Sequence, residues 1–444
     1  MFNKQLFILA HQIGDRSFYP TYQLLVKNQW RPYAELKENQ EKQLRHMISF
    51  VYENVPYYRN LFKGLKLFPR DIQTIEDLQK LPILTKGIIK QHWEDFKPAN
   101  LSSLQYYDQA TGGSTGTPLQ YRLSKQDRFL GGALLYRGWG YGGYQLGDRM
   151  AFLAGSSLDV GTKSYLTKKT HEIARNIRKL SSFDMGEKEM RYYTEILNTF
   201  KPRFIRGYAS SIYFYAQWLE KNDAAVSFPD AVFTTAEKLF PPMRETIGRV
   251  FDCQVFDEYG LNDGGISAYE CPEHSGLHID TERSIMEVAD SGGFQMSGGQ
   301  GQILATSLHN YAMPFLRYST GDEGLLLEDS CSCGRGPRLL KEILGREQSM
   351  LITPEGKYIH GEYFTHIFWE IPHVKEFQVV QKTIDEIQII IVQEQGFNEE
   401  KLERIKQIIA SKSPNWKIKF QFVDEIQRTG AGKYKFIINE MLNA

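Results

Sequence analysis

Cysteine is scarce in this chain: four residues in 444, at positions 253, 271, 331 and 333. So sparse a count cannot build the disulfide framework of a small secreted fold, and the grouping of three of the four points to a metal instead. Charge of one sign is also missing, since Lys plus Arg and Asp plus Glu number 53 each. A neutral chain has no global field to gather nucleic acid or an anionic membrane, so any affinity for phosphate must be local and no nucleic-acid partner is expected. Nor does any run approach the roughly 20 apolar residues that cross a bilayer. The short Leu6–Ala10 stretch has no basic lead-in or long apolar core and reads as helix, not as a signal. A cytoplasmic protein without membrane insertion is the expectation.

What is present is an ordinary folded composition, 41% hydrophobic and 24% charged. Single cores seldom exceed roughly 250–300 residues, so a chain of this length predicts two unequal lobes. Leu44, Ile48, Val51 and Val55 recur at helical spacing until Pro56 interrupts them. From Tyr106 onward glycine increases. Apolar runs at 150–153, 204–206, 231–234 and 254–256 then alternate with helical stretches at 190–199, 211–222 and 242–251, which predicts an α/β core on a parallel sheet. After Gly345 the texture changes to a hairpin over 374–381 and 386–393, an amphipathic helix over 399–411 and a strand over 417–423. The expected division is a large multi-layer α/β domain, 1–345, and a small α+β lid domain, 346–444.

Thr111 to Pro118 reads Thr-Gly-Gly-Ser-Thr-Gly-Thr-Pro, small and hydroxyl residues whose backbone N–H groups can fold around phosphate oxygens. No Gly-Lys-Ser/Thr follows, so it is not a Walker A loop. Downstream stand Asp257-Glu258-Tyr259-Gly260-Leu261-Asn262-Asp263, Arg317-Tyr318-Ser319-Thr320-Gly321-Asp322, Gly345-Arg346 and Arg428-Thr429-Gly430-Ala431-Gly432-Lys433. In this order and over nearly the whole chain, the series resembles the adenylate-forming superfamily of acyl-CoA synthetases. Within it the likeness is to the phenylacetate-CoA ligase branch and its CapK-like proteins, often labelled coenzyme F390 synthetase. Asn54-Val55-Pro56-Tyr57-Tyr58-Arg59 and Thr234-Thr235-Ala236-Glu237 are similar to that branch's opening turn and adenine-side segment.

The resemblance implies an ATP- and Mg2+-dependent ligase that turns a carboxylic acid into an acyl-adenylate and passes the acyl group to CoA or another acceptor, in CapK-like proteins for surface polysaccharide. It assigns Ser114, Thr115, Gly116 and Thr117 to the ATP phosphates and the backbone around Glu237, Glu258, Tyr259 and Gly260 to adenine. It assigns Asp322 to the ribose, Asp263 to Mg2+, Lys433 to the reacting carboxylate and α-phosphate, and Arg346 to the pivot of the small domain. Asp263 stands where the family usually has Glu, and Gln348 and Ser349 stand where it usually has Asp. Those departures favour a non-catalytic scaffold as one alternative, and the F390 label favours an AMP transferase as another. A homodimer is left open.

Cys271, Cys331 and Cys333 with His274 or His278 can form a tetrahedral Cys3His set for structural Zn2+. The local spacing suits His274, but the resemblance points to His278, which is the ligand expected. Cys253 stands apart and reads as packed beside a strand. Tyr136 to Tyr144, with Trp139, is either an acyl pocket or core.

Overall fold

The computed structural model describes residues 2–111, 119–154, 165–182, 185–344, 350–426 and 437–442. It opens with helices α1 (Phe2–Gly14), α2 (Phe18–Asn28), α3 (Tyr33–Asn54) and α4 (Pro56–Leu65). Pro56 separates α3 from α4. It has no N–H to donate, and Val55 before it is extended at φ −109°, ψ 110°. Helix α5 (Lys86–Gln91) leads to the antiparallel pair β1 (Tyr106–Ala110) and β2 (Gln120–Ser124), and α6 (Lys125–Tyr141) follows.

Next, β3 (Met150–Ala154), α7 (Tyr165–Arg175), β4 (Ile177–Ser181), α8 (Glu187–Phe200), β5 (Phe204–Tyr208), α9 (Ala209–Lys221), β6 (Ala231–Thr235) and α10 (Pro241–Phe251) alternate. Strands β7 (Gln254–Leu261), β8 (Ile266–Glu270), β9 (Leu277–Ile279), β10 (Ser284–Ala289), β11 (Gly299–Ser307), β12 (Tyr318–Leu326) and β13 (Leu339–Ile343) come after. The chain continues through β14 (Met350–Ile352), β15 (Tyr358–His360), α11 (Gly361–Glu370) and β16 (Val374–Thr383). It finishes with β17 (Glu386–Gln393), α12 (Glu399–Lys412), β18 (Lys417–Phe422) and β19 (Ile437–Asn439).

Two compact units emerge. The first gathers residues 1–111, 119–148 and 256–345, and the second gathers 112–118, 149–255 and 346–444. In the first, the strands run β10-β11-β12-β13-β9-β8-β7, antiparallel at every pair. The strands expected from the sequence include only the start of β7 in this antiparallel run. The connections β7–β8, β8–β9, β10–β11 and β11–β12 are shorter than the roughly a dozen residues a parallel crossover needs, so these neighbours are antiparallel. The helical stripe Leu44, Ile48, Val51 and Val55 is fully buried against Ile266, Ala268, Ile303 and Tyr318 of this sheet.

The parallel arrangement holds in the second unit, where the order is β6-β5-β3-β4. The strand order reverses beside β3, the kind of switch point at which open α/β sheets bind ligands outside their carboxyl ends. Gly207 of β5 passes so close to β3 that a Cβ there would sit 2.0 Å from the Leu153 carbonyl oxygen. Residues 351–437 of the same unit have a hydrophobic core of their own, built on β18-β17-β16-β19 with α11 and α12. The hairpin, helix and strand read from the sequence are β16–β17, α12 and β18. Strands β14, β15 and β19 and helix α11 carry no legible period of their own.

Candidate nucleotide site and metal centre

Ser114, Thr115, Gly116, Thr117, Arg346, Gln348, Ser349 and Lys433 lie outside the described residues. The remaining candidates fall on β6, on β7 and its turn, on β12 and on the loops at β9 and β13.

In the second unit, Glu237 follows β6 on a tight turn in which Ala236 takes φ +68°, the left-handed region that side chains other than glycine rarely enter. Such a conformation, at the carboxyl end of a parallel strand, is where stored backbone strain accompanies binding sites. Glu237 is half-buried.

In the first unit, β7 alternates so that Glu258 points into the core while Tyr259 is half-exposed. The Glu258 carboxylate accepts the indole N–H of Trp139 at 2.9 Å. Trp139 is 2% exposed and packs edge-on against Tyr136 and Tyr144, which makes this aromatic group core, not pocket. Gly260 continues the strand. Asp263 sits in the β7–β8 turn, held by Gly265 at φ +68° and by the Ser284 hydroxyl on the Gly265 carbonyl. Asp263 is buried, and the Tyr318 hydroxyl donates to its Oδ2 at 2.7 Å.

Asp322 owes its position to a bulge. Gln302 pairs with Glu323 and Leu304 with Ser319, so Thr320, Gly321 and Asp322 together oppose the single residue Ile303. Gly321 makes this feasible with φ +82°, and Thr320 pins the bulge by donating to the Ile303 carbonyl and accepting from the Asp322 N–H. The Asp322 carboxylate accepts the Tyr259 hydroxyl at 2.8 Å. Arg317, at φ +51°, anchors the loop: its buried guanidinium bonds Glu287 at 3.0 Å, the Leu81 carbonyl at 2.9 Å and the Gly293 carbonyl at 2.6 Å.

Tyr121, buried on β2 near Asp263, carries no motif that singles it out in the sequence. Burial raises its phenol well above the ordinary value, reinforced by the nearby Asp263 and Asp127 carboxylates and opposed by Arg283. It therefore stays protonated, able to donate. A single buried carboxylate, Asp263, fits Mg2+, which keeps few protein ligands and takes its other oxygens from phosphate and water.

Cys271, His278, Cys331 and Cys333 converge, with their ligand atoms all within 4.8 Å of one another. Cys271 directly follows β8, His278 is central in β9 between β8 and β13, and the other two lie in the β12–β13 loop. The Cys271 and Cys331 sulfurs are 3.7 Å apart, and Cys333 Sγ is 3.4 Å from His278 Nε2. A tetrahedral zinc with bonds of about 2.3 Å to sulfur has edges of roughly 3.7 Å, so the four side chains fit that ion. His274 is outside the group, with Nδ1 3.1 Å from Glu270 Oε1.

Burial, then Arg335, lowers His278 to about 4 against a backbone hydrogen bond at Pro337, which leaves the neutral imidazole that ligates metals. Burial pushes Cys271 up to about 12 and raises Cys331. Burial also acts to raise Cys333, but hydrogen bonds from Arg335 and the other two cysteines outweigh it and lower that thiol. Crowded thiols suppress one another's ionisation, and a divalent cation among them reverses that. The fourth cysteine, Cys253, is half-buried just before β7, and burial raises it.

Residues 351–440 match the CapK C-terminal domain. The chain is 25% identical over 414 residues to protein CapK of Staphylococcus aureus, covering 92% of this chain and 90% of that one. It is 26% identical over 400 residues to phenylacetate-coenzyme A ligase of Thermus thermophilus, covering 83% and 84%. The fold matches a crystal structure of 2-hydroxyisobutyryl-CoA ligase in complex with 2-HIB-AMP and CoA, with a TM-score of 0.63 over 94% of this chain and 93% of that one at 18% identity. The fold is thus that of a solved acyl-CoA ligase, and the sequence is similar along most of its length to a phenylacetate-coenzyme A ligase. The similarity extends to CapK over most of the chain and to the CapK C-terminal domain over residues 351–440.

Proposed function

We propose that this protein activates a carboxylic acid with ATP. A carboxylate oxygen attacks the α-phosphorus, pyrophosphate leaves, and the acyl-adenylate so formed passes its acyl group to an acceptor, with AMP leaving. The sequence kinship to a phenylacetate-CoA ligase over 83% of this chain carries the reading. A CoA thiol is the acceptor that kinship favours, and the resemblance to CapK-like proteins extends the proposal to a cytoplasmic enzyme that serves surface polysaccharide.

In this reading Ser114, Thr115, Gly116 and Thr117 hold the phosphates, while Tyr259 and the backbone near Glu237, Glu258 and Gly260 flank adenine. Asp322 takes the ribose hydroxyls, since one carboxylate accepts two hydroxyl hydrogens. Asp263 binds Mg2+, which neutralises phosphate charge when bound. Lys433 meets the charge that builds between carboxylate and α-phosphate, a form of electrostatic stabilisation. Arg346 marks the pivot of a lid domain, 346–444, and Cys271, His278, Cys331 and Cys333 hold a structural zinc with no open position.

The test is acid-dependent ATP–pyrophosphate exchange across aryl, fatty, amino and sugar acids, comparing the native chain with Lys433→Ala. Exchange with one acid class, lost by roughly 10²–10³ in the variant, is expected. ATP binding without exchange for any acid would turn the reading to AMP transfer or to a scaffold.

A further inference from the structure

The β7 turn and β12 share a spacing. Tyr259 and Asp263 are four residues apart, and so are Tyr318 and Asp322. The hydroxyls cross: Tyr259 donates to Asp322, 63 residues away, and Tyr318 donates to Asp263, 55 residues away. Each tyrosine thus holds the aspartate of the other segment.

Strand order makes this pairing unexpected, because β13, β9 and β8 lie between β12 and β7. Four strand steps in a flat sheet separate two strands by roughly 19 Å, far beyond a hydrogen bond. The sheet must therefore curl until the bulged start of β12 faces the β7 turn, and the crossed bonds span the closure.

The surroundings leave little freedom. Tyr318 is fully buried, its backbone flanked by bonds that join Leu84 to Arg317 and Ser319. A Cβ on Gly264 would stand 2.7 Å from Ala305, so the Asp263 turn is packed against β11. With Oδ2 of Asp263 taken by Tyr318, Oδ1 is the oxygen left for a cation.

We infer that Tyr318 and Tyr259 are positioning residues forming a reciprocal brace, Tyr318 orienting the Mg2+-binding aspartate and Tyr259 the ribose-binding one. The inference rests on the adenylation reading and deepens it. Tyr318 restrains a carboxylate one methylene shorter than the family's usual Glu.

The experiment titrates the full-length chain calorimetrically with α,β-methylene-ATP at varied Mg2+, and separately with AMP without metal. Tyr318→Phe is expected to raise the Mg2+ needed for half-maximal analogue binding roughly tenfold and to leave AMP affinity within about twofold, the loss of one hydrogen bond to a charged group. Tyr259→Phe is expected to weaken AMP roughly tenfold and leave the Mg2+ requirement within about twofold. Equal loss of both properties in both variants, or no loss in either, would overturn the brace. A native chain with no Mg2+-dependent analogue binding would sink the adenylation reading and the brace with it. Should Tyr318→Phe fail to fold, Asp263→Asn, which keeps the side-chain shape, must show the same rise in Mg2+ requirement without loss of AMP binding.

Discussion

The sulfur of Cys271 lies 3.7 Å from that of Cys331, 60 residues further along the chain. Cys333 and His278 complete the cluster.

Metal analysis of the purified chain is expected to find one zinc per molecule. Cys331→Ser and His278→Ala should lose it, while His274→Ala, outside the cluster beside Glu270, should keep it. Removing a structural zinc ligand is expected to lower stability by several kcal/mol, read as a fall in Tm. Zinc retained by His278→Ala and lost by His274→Ala would reverse the assignment.

A pH dependence follows from the buried group at Arg137. Its guanidinium faces two carboxylates, Asp280 and, at 2.8 Å, Glu282. Burial raises Asp280 to about 6, against the pull of Arg137 and with Glu282 acting in the same direction as burial. A carboxylate raised in the folded state stabilises most when protonated, so its contribution is full below the unfolded value near 4 and is lost as pH rises through about 6. The Tm advantage of the native chain over Asp280→Asn should therefore shrink between pH 4 and pH 6 and change little above about pH 7. An advantage that grows over that range would contradict the assignment.

Trp139→Phe leaves the buried Glu258 carboxylate without its indole donor. Denaturant unfolding should show a loss of about 1–3 kcal/mol. Because Trp139 belongs to the core, the choice of acid should not change, and an altered acid preference in the exchange assay would return this aromatic group to the pocket.

Gly336 lies beside Arg31 so closely that a Cβ would sit 1.7 Å from its carbonyl oxygen. Its own N–H bonds the Gln29 carbonyl at 2.9 Å. Gly336→Ala should free the metal loop from the end of α2, with zinc released at lower chelator concentration than from the native chain. Unchanged release would show that the loop is held elsewhere.

Much of this is legible in the sequence alone. The periods at 190–199 and 399–411 are single-faced and became α8 and α12, because a stripe at helical spacing has one way to be buried. The Cys3His set was readable because soft ligands seldom cluster without a metal. The antiparallel run from β7 to β13 was not, in part because β8 and β9 are buried at every position and show no alternation. The crossed Tyr–Asp bonds were hidden for another reason: each motif contains its own tyrosine and aspartate, and only the curl of the sheet reveals that the partners are exchanged.

Strand β9 has three residues and pairs on both sides, with β8 close by in sequence and with β13 far along the chain. So short a strand cannot hold its place until its distant neighbour arrives, and closing that long loop costs entropy before any contact returns it. Alterations at β9 should therefore be felt first in how fast newly made chains mature and how many aggregate on the way, even where the finished protein is as stable as before.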